Sequence, residues 1–522
     1  MRESELKKRI VHLEPGTMLP ADEYNRVLIE NVHPPAWVDP EPAGKYNLVV
    51  VGAGTAGLVT AAIAAALGAR VALVERHLMG GDCLNVGCVP SKGMIRASRA
   101  WAEVRRAAEF GVGIPGEVRY DFGASMSRMR KLRARISYTD SARRYRQMGV
   151  DVFIGDGRFA APDAVEVSGK RLRFAKAAIC TGARAAAPSI PGLAEAGYLT
   201  NETVFELTEL PSRMAVIGGG PIGCELAQAF ARFGSRVCLF ERTGHVLPRE
   251  DADAAGIVQE RMKKDGVCFF FESKITQIEI RGNEKVIYHE ANGERREIIA
   301  DEILVGVGRS PNVEGLGLDV AGVEYDLREG VKVNARLQTT NRRIFAAGDI
   351  CFPFKFTHTA DALAQIVVQN ALFPHPLGLG YAGTDSLVVP WCTYTDPEIA
   401  HVGMCEADAM AGGIAVETFT CNLEEVDRAV LDGEEEGFAR VHVRKGTDRI
   451  LGATLVAAHA GEMIGEFTLA MRAGLGLGSI ARTIHPYPTQ AEALKKVANA
   501  WRKTTLTGKK KKILDRWFAW TR

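Results

Sequence analysis

The chain has 522 residues, with 65 Lys+Arg against 63 Asp+Glu, a net charge of +2, and 47% hydrophobic and 25% charged residues. At roughly 100–200 residues per domain this length predicts three or four domains, and the ordinary apolar and charged fractions exclude a disordered or collagen-like chain. The near-neutral balance gives no reason to expect a nucleic-acid partner, and ten cysteines over this length are too sparse for a secreted disulfide scaffold.

The opening MRESELKKRI mixes charges where a secretion signal needs an apolar run, so export is not expected. No run of about 18 uncharged apolar residues occurs, and the expectation is a soluble, cytoplasmic protein. Residues 1–44, charged and punctuated by Pro34, Pro35, Pro40 and Pro42, read as an N-terminal arm. An apolar β-branched run, Leu48 to Val51, then leads through a glycine turn and an alanine-rich helix to a second strand, Val71 to Val74. That is a β-α-β unit. The pattern recurs from Met214 to Glu241, and Gly52 to Glu75 and Gly218 to Glu241 each span 23 positions. Two dinucleotide folds in one chain follow from that repeat. Short strands and turns come next (Phe269 to Tyr288, Ile298 to Val307). From about Asp385 strands give way to helices over Glu462 to Ala473 and Thr489 to Trp501, a third, α+β domain.

Gly52, Gly54 and Gly57 form a Gly-x-Gly-x-x-Gly turn, which allows a tight bend, close approach to a pyrophosphate and close helix–strand packing. Glu75, at the end of the second strand, is placed to accept hydrogen bonds from a ribose 2′-hydroxyl. Gly218, Gly220 and Gly223 repeat the turn, and Glu241 there repels a 2′-phosphate, favouring NADH over NADPH. Arg242 beside it is a countervailing phosphate partner.

Between the copies lies GGDCLNVGCVPSK, with Cys83 and Cys88 in one turn shaped by Gly81, Gly87 and Pro90, and Lys92 entering a helix. Cysteines this close can reach disulfide geometry, and a thiol at a helix N-terminus near a lysine is the better thiolate. The plainer alternatives are two buried small hydrophobes or half a zinc site. No second Cys/His pair at metal spacing lies nearby, so no metal site is predicted and a redox-active dithiol is preferred. The other eight cysteines are expected to be structural.

With these motifs the sequence resembles the FAD-dependent pyridine nucleotide–disulfide oxidoreductases, the family of dihydrolipoamide dehydrogenase, glutathione reductase and mercuric reductase. The resemblance covers about residues 45–500 and rests above all on GDCLNVGCVPSK. It implies an α/β fold: two Rossmann-like domains, for FAD and NAD(P)H, and a C-terminal α+β dimerisation domain. The expected boundaries are 45–195 with 309–384 for FAD, 196–308 for NAD(P)H, 385–500 for dimerisation and 501–522 for a basic aromatic tail. Gly81, Thr181, Gly182, Arg309 and Asp349 match family positions around FAD, and Lys92 with Glu225 matches an ion pair beside the flavin. Cys88 would be the flavin-proximal thiol and Cys83 the interchange thiol. The implied route runs from NAD(P)H through FAD to a Cys83–Cys88 disulfide and on to a disulfide or soft metal ion.

The C-terminal domain ends in TIHPYPTQAEAL. His485 matches the first histidine of the His-x-His-Pro-Thr stretch of lipoamide and glutathione reductases, and Glu492 matches their downstream glutamate. Tyr487 replaces the second histidine, the base. A phenol of pKa ~10 accepts protons poorly at neutral pH, whereas an imidazole at ~6.5 is well matched, which demotes lipoamide and glutathione. Mercuric reductases carry tyrosine at that place, yet their C-terminal cysteine pair has no counterpart here. A homodimer is implied, in which His485, Tyr487 and Glu492 complete the partner's dithiol site. The alternatives are a genuine mercuric reductase, or a redox-sensing or protein-carrier flavoprotein with little small-molecule turnover.

The tail places Lys509 to Lys512 before Ile513, Leu514, Trp517, Phe518 and Trp520. Packing of a terminal helix on its own dimer is put first. Peripheral contact with the inner face of an anionic membrane is the alternative.

Overall fold

A computed structural model of the chain describes residues 17–42, 44–116, 118–291 and 293–522. The charged opening, and with it residues 1–16 of the expected arm, lies outside the described residues. The chain divides into two units, one of residues up to 244 with 266–386, the other of 245–265 with 387–522.

The first unit holds both nucleotide folds. Four consecutive parallel strands, Val150–Ile154, Val71–Glu75, Lys45–Val51 and Lys170–Ile179, run inward from one edge of a seven-stranded sheet. Val71–Glu75 is buried at every position, as strands covered on both faces must be. The ten-residue strand Lys170–Ile179 serves two neighbours on its outer side. Its start pairs antiparallel with Ala164–Val167, and its end pairs parallel with Ile344–Ala346. The late landmark around Asp349 is thereby returned to the first fold.

The second fold is a four-stranded parallel sheet in the order Val267–Phe270, Arg236–Phe240, Arg213–Ile217, Glu302–Val305. A three-stranded antiparallel sheet, Lys274–Arg281, Glu284–Ala291 and Glu294–Ala300, packs with it through a core containing Ile217, Phe240, Ile278 and Ile287. The chain leaves the first fold through Ala183–Ala185 and returns through Arg309–Pro311, and these two segments pair antiparallel. Asn312 Nδ2 donates to the Thr181 carbonyl at 2.9 Å, and Thr181 Oγ1 donates to the Asn312 carbonyl at 3.0 Å.

The second unit is a five-stranded antiparallel sheet in the order Pro390–Thr393, Glu398–Gly403, Ile450–Ala457, Phe438–Arg444, Val416–Asn422. Helices Ala460–Arg472 and Glu492–Thr504 supply Phe467, Leu494 and Val497 to its core, in which Cys421 is buried and against which Cys392 packs. Helix Ala252–Lys264 groups with this unit, although its sequence falls inside the expected 196–308 domain. The Arg440 guanidinium donates from Nη1 to Asp253 Oδ1 at 3.0 Å, and Trp391 Nε1 donates to Glu250 Oε1 at 2.6 Å. The tail forms helix Gly508–Thr521, whose every residue is exposed. Among the described residues no helix is long and apolar enough to cross a membrane.

Candidate active site

Both glycine turns close in the same way. Helix Thr55–Ala66 follows Gly54 and helix Pro221–Phe233 follows Gly220, and neither start is capped by a side chain, which leaves its N–H groups for an anion. A Cβ on Gly57 would lie 1.8 Å from the Gly52 carbonyl oxygen, and one on Gly223 would lie 1.9 Å from that of Gly218. Only glycine fits there, because strand end and helix start touch backbone to backbone.

The two acids repeat each other almost atom for atom. Glu75 Oε2 accepts from the Ala53 N–H at 2.7 Å, and Glu241 Oε2 accepts from the Gly219 N–H at 2.6 Å. Each thus grips the residue after its first motif glycine. Burial pushes the Glu75 carboxyl up, and the N–H donors of Ala53 and His77 pull it back.

Cys83 lies in the short helix Gly81–Asn85, and Cys88 is the first residue of helix Cys88–Arg105. Cys88 also faces a second helix start, since its Sγ is 3.4 Å from Oγ1 of Thr357, first residue of helix Thr357–Leu372. Both cysteines carry free thiols within reach of one another. The Cys88 thiol is lowered to about 6, foremost by the hydrogen bond from Cys83, then by Thr357 and by the charge of Lys92, against the opposing effect of burial. Cys83 is pushed up, by donating that bond and by burial. The pair therefore shares one proton, held on Cys83, with the thiolate on Cys88.

Lys92 Nζ donates to Glu225 Oε2 at 2.9 Å, joining the helix that begins at Cys88 to the helix that begins at Pro221. The Glu225 side chain is only 7% exposed, so this ion pair is anchored by a carboxylate largely removed from water. Arg309 pairs with Asp82, the neighbour of Cys83, and lies 3.3 Å from Asp349. Burial pushes the Asp349 carboxyl up, against the pull of Arg309.

The residues present fit FAD. The glycine cradle with its uncapped helix start suits a pyrophosphate, Glu75 a ribose, and half-buried Asp349 beside Arg309 a polyhydroxyl chain. Gly81 packs on the same cradle, since a Cβ there would sit 2.7 Å from the Gly54 Cα. Thr181 and Gly182 lie on the crossover described above, with Gly182 at φ 66°. Gly220, Gly223 and Glu241 repeat the same arrangement in the second fold.

Three residues escaped the sequence reading: Thr357, Asp82, and, in the second unit, Asp427. Thr357 is 269 positions from Cys88, and nothing near it in sequence marks it as a thiol partner.

In the second unit, Tyr487 is 70% exposed and its hydroxyl donates to Asp427 Oδ2 at 3.0 Å. That bond raises the phenol, and the charge of Glu492 adds a smaller upward push. His485 Nε2 lies 3.1 Å from Glu466 Oε1, so this histidine has a carboxylate partner of its own. Glu492 begins helix Glu492–Thr504, and its Oε2 is buried without a hydrogen-bond partner among the described residues. Cys351 and His358, near the first fold, are plainly occupied. The Cys351 thiol donates to the Gly348 carbonyl at 3.7 Å and is pushed up by burial, and the His358 ring stacks on Phe356.

Residues 46–365 match the pyridine nucleotide-disulphide oxidoreductase family, and residues 389–498 match the dimerisation domain of the same family. A mercuric reductase of Staphylococcus aureus is 35% identical over 471 residues, covering 88% of this chain and 83% of its own length. A dihydrolipoyl dehydrogenase of Thermus scotoductus is 33% identical over 475 residues, covering 88% of this chain and 98% of its own. Among solved structures, a Cu(II) complex of the HOCl-induced flavoprotein disulfide reductase RclA from Escherichia coli is similar with a TM-score of 0.77 at 28% identity. That match covers 88% of this chain and 99% of the other.

Proposed function

This chain belongs to the pyridine nucleotide-disulphide oxidoreductase family, and on that premise we propose that its acceptor is a thiophilic metal ion rather than lipoamide or glutathione disulfide. It is an NAD(P)H-dependent flavin oxidoreductase of the disulfide- and metal-ion-reducing kind, using FAD and carrying a dimerisation domain. When bound, FAD accepts reducing equivalents from NAD(P)H and passes on two electrons.

The observation that carries the choice of acceptor is Tyr487. Its phenol is raised further by donating to Asp427, so it stays protonated at neutral pH and does not carry a proton from the attacking thiol to the leaving thiolate, as reduction of a disulfide needs. A soft cation needs no such base, because it takes two thiolates and releases their protons to water. In this reading Cys88 holds the thiolate, Cys83 meets the acceptor, and Lys92, placed by Glu225, stabilises negative charge beside the dithiol. The kinship with mercuric reductases and with a reductase solved as a Cu(II) complex supports it.

His485, Tyr487 and Glu492 complete the dithiol site of the partner subunit in the homodimer. The 70% exposure of Tyr487 and the 89% exposure of Ile484 support a face that a second copy covers. Glu241, turned on the backbone of the second glycine motif, favours NADH over NADPH. The enzyme works in the cytoplasm, and its exposed tail helix docks on its own dimer, with an anionic membrane face as the competing surface.

An anaerobic titration with NADH and NADPH, followed by turnover with Hg(II), Cu(II), lipoamide and glutathione disulfide, tests the proposal. Metal-dependent NADH oxidation that is lost in Cys83→Ala and in Cys88→Ala is expected. Faster turnover with lipoamide or glutathione disulfide than with either metal overturns the acceptor. Slow turnover with all four, beside a readily reduced flavin, points instead to a redox sensor or protein carrier.

A further inference from the structure

Cys238 and Cys268 lie far apart in sequence but directly opposite one another in space. Strands Arg236–Phe240 and Val267–Phe270 run parallel with Cys268 paired to Cys238 and Phe270 paired to Phe240. Side chains two apart share a face, so the cysteines sit one step along from the phenylalanines. The stacked rings of Phe240 and Phe270 have centroids 4.9 Å apart at 15°, showing that paired side chains on this face stand side by side at the strand spacing. The thiols interact, and burial followed by the neighbouring Cys268 pushes Cys238 up to about 11.

This spacing separates two chemistries. Disulfides hold their Cβ atoms ~3.5–4.5 Å apart, less than the ~4.7–4.9 Å between paired strands, so a Cys238–Cys268 disulfide would have to pull the sheet together. A two-coordinate ion with metal–thiolate bonds of ~2.3 Å spans about 4.6 Å between sulfurs with the backbone left in place. Among the described residues no group of three or more His, Cys, Asp or Glu is arranged to hold a metal, so the pair offers two ligands and not a tetrahedral set.

We infer that Cys238 and Cys268 form a second metal site, remote in sequence from the Cys83–Cys88 dithiol, that binds a soft divalent cation of linear coordination as a bis-thiolate. Binding replaces two S–H protons by one ion and leaves the metal's oxidation state unchanged. The product is neutral, which suits a site whose inner half packs against a buried apolar core containing Ala215, Ile217 and Phe240 and where a net charge would be costly. Access comes from the other half, because Cys268 is exposed and lies on the edge strand of its sheet. On the inner side the next strand presents Ala215 opposite Cys238, leaving room for an ion.

The test uses the full-length, FAD-loaded protein carrying Cys83→Ser and Cys88→Ser, so that the result is independent of the proposed acceptor chemistry. Hg(II) is added with excess glutathione as competitor and the protein is recovered by gel filtration. One ion retained per chain and an ultraviolet thiolate-to-metal band in the recovered protein are expected, the two displaced S–H protons passing to the glutathione thiolates that give up the ion. Adding either Cys268→Ser or Cys238→Ala should abolish both while flavin content is kept. Retention that survives both substitutions, or no retention against glutathione in the parent, overturns the site. Cys268 is exposed, so its substitution tests the ligand without disturbing the fold.

Discussion

Cys88 sits where two helix starts meet, and in the proposed relay its thiolate is the one that donates charge to a bound flavin. With its pKa lowered to about 6, the thiolate is absent in acid and present above that point. The long-wavelength charge-transfer absorbance of the two-electron-reduced enzyme should therefore grow as pH rises through about 6. Lys92→Gln removes a cation that favours the thiolate and leaves the Glu225 carboxylate unbalanced, so the midpoint should move to higher pH. An unmoved midpoint would deny Lys92 its role beside the thiol, and a band unchanged in Cys88→Ser would deny Cys88 its own. The cysteines and Lys92 were legible because one segment of sequence carries all three. Thr357 was not, because its link to Cys88 exists only once helix Thr357–Leu372 has folded back on the first domain.

The two β-α-β units show how an element encodes function twice with one geometry. Gly223 and Gly220 stand three residues apart, yet they answer to different constraints. A Cβ on Gly223 meets the Gly218 carbonyl at 1.9 Å, while one on Gly220 meets nothing within 4 Å. Gly223→Ala should therefore destabilise the domain by ~1–3 kcal/mol or more, the range for forced overpacking, and lower its melting temperature. Gly220→Ala should leave melting unchanged and raise the KM for NADH, because its Cβ would stand where the pyrophosphate approaches the helix start. FAD content should stay full in the second variant. Equal melting losses in the two would contradict this division. The repeat was readable because strand, glycines, helix and acid are local in sequence and keep one spacing. The grouping of helix Ala252–Lys264 with the C-terminal unit was not, since it depends on partners such as Arg440 and Trp391 more than a hundred residues away.

Across the whole molecule the net charge of +2 hides a division. Residues 501–522 hold eight Lys+Arg and one Asp, a charge of +7, so the first 500 residues carry −5. The tail helix carries five of those eight cations, with Ile513, Trp517 and Trp520 exposed at 66%, 55% and 77%. A helix so apolar on one side gains by burying it, and the acidic remainder of a second copy supplies complementary charge without any other partner. A chain ending at Thr507 should thus form a weaker dimer. Its dissociation on dilution should begin at higher protein concentration than that of the full chain. The gap should narrow as salt screens the attraction, leaving the part due to apolar burial. Flotation with vesicles rich in anionic lipid separates this from membrane docking. Dimer packing predicts equal recovery of the full and shortened chains. Selective recovery of the full chain, with dimer strength unchanged by the truncation, would move the tail from the subunit interface to the lipid surface.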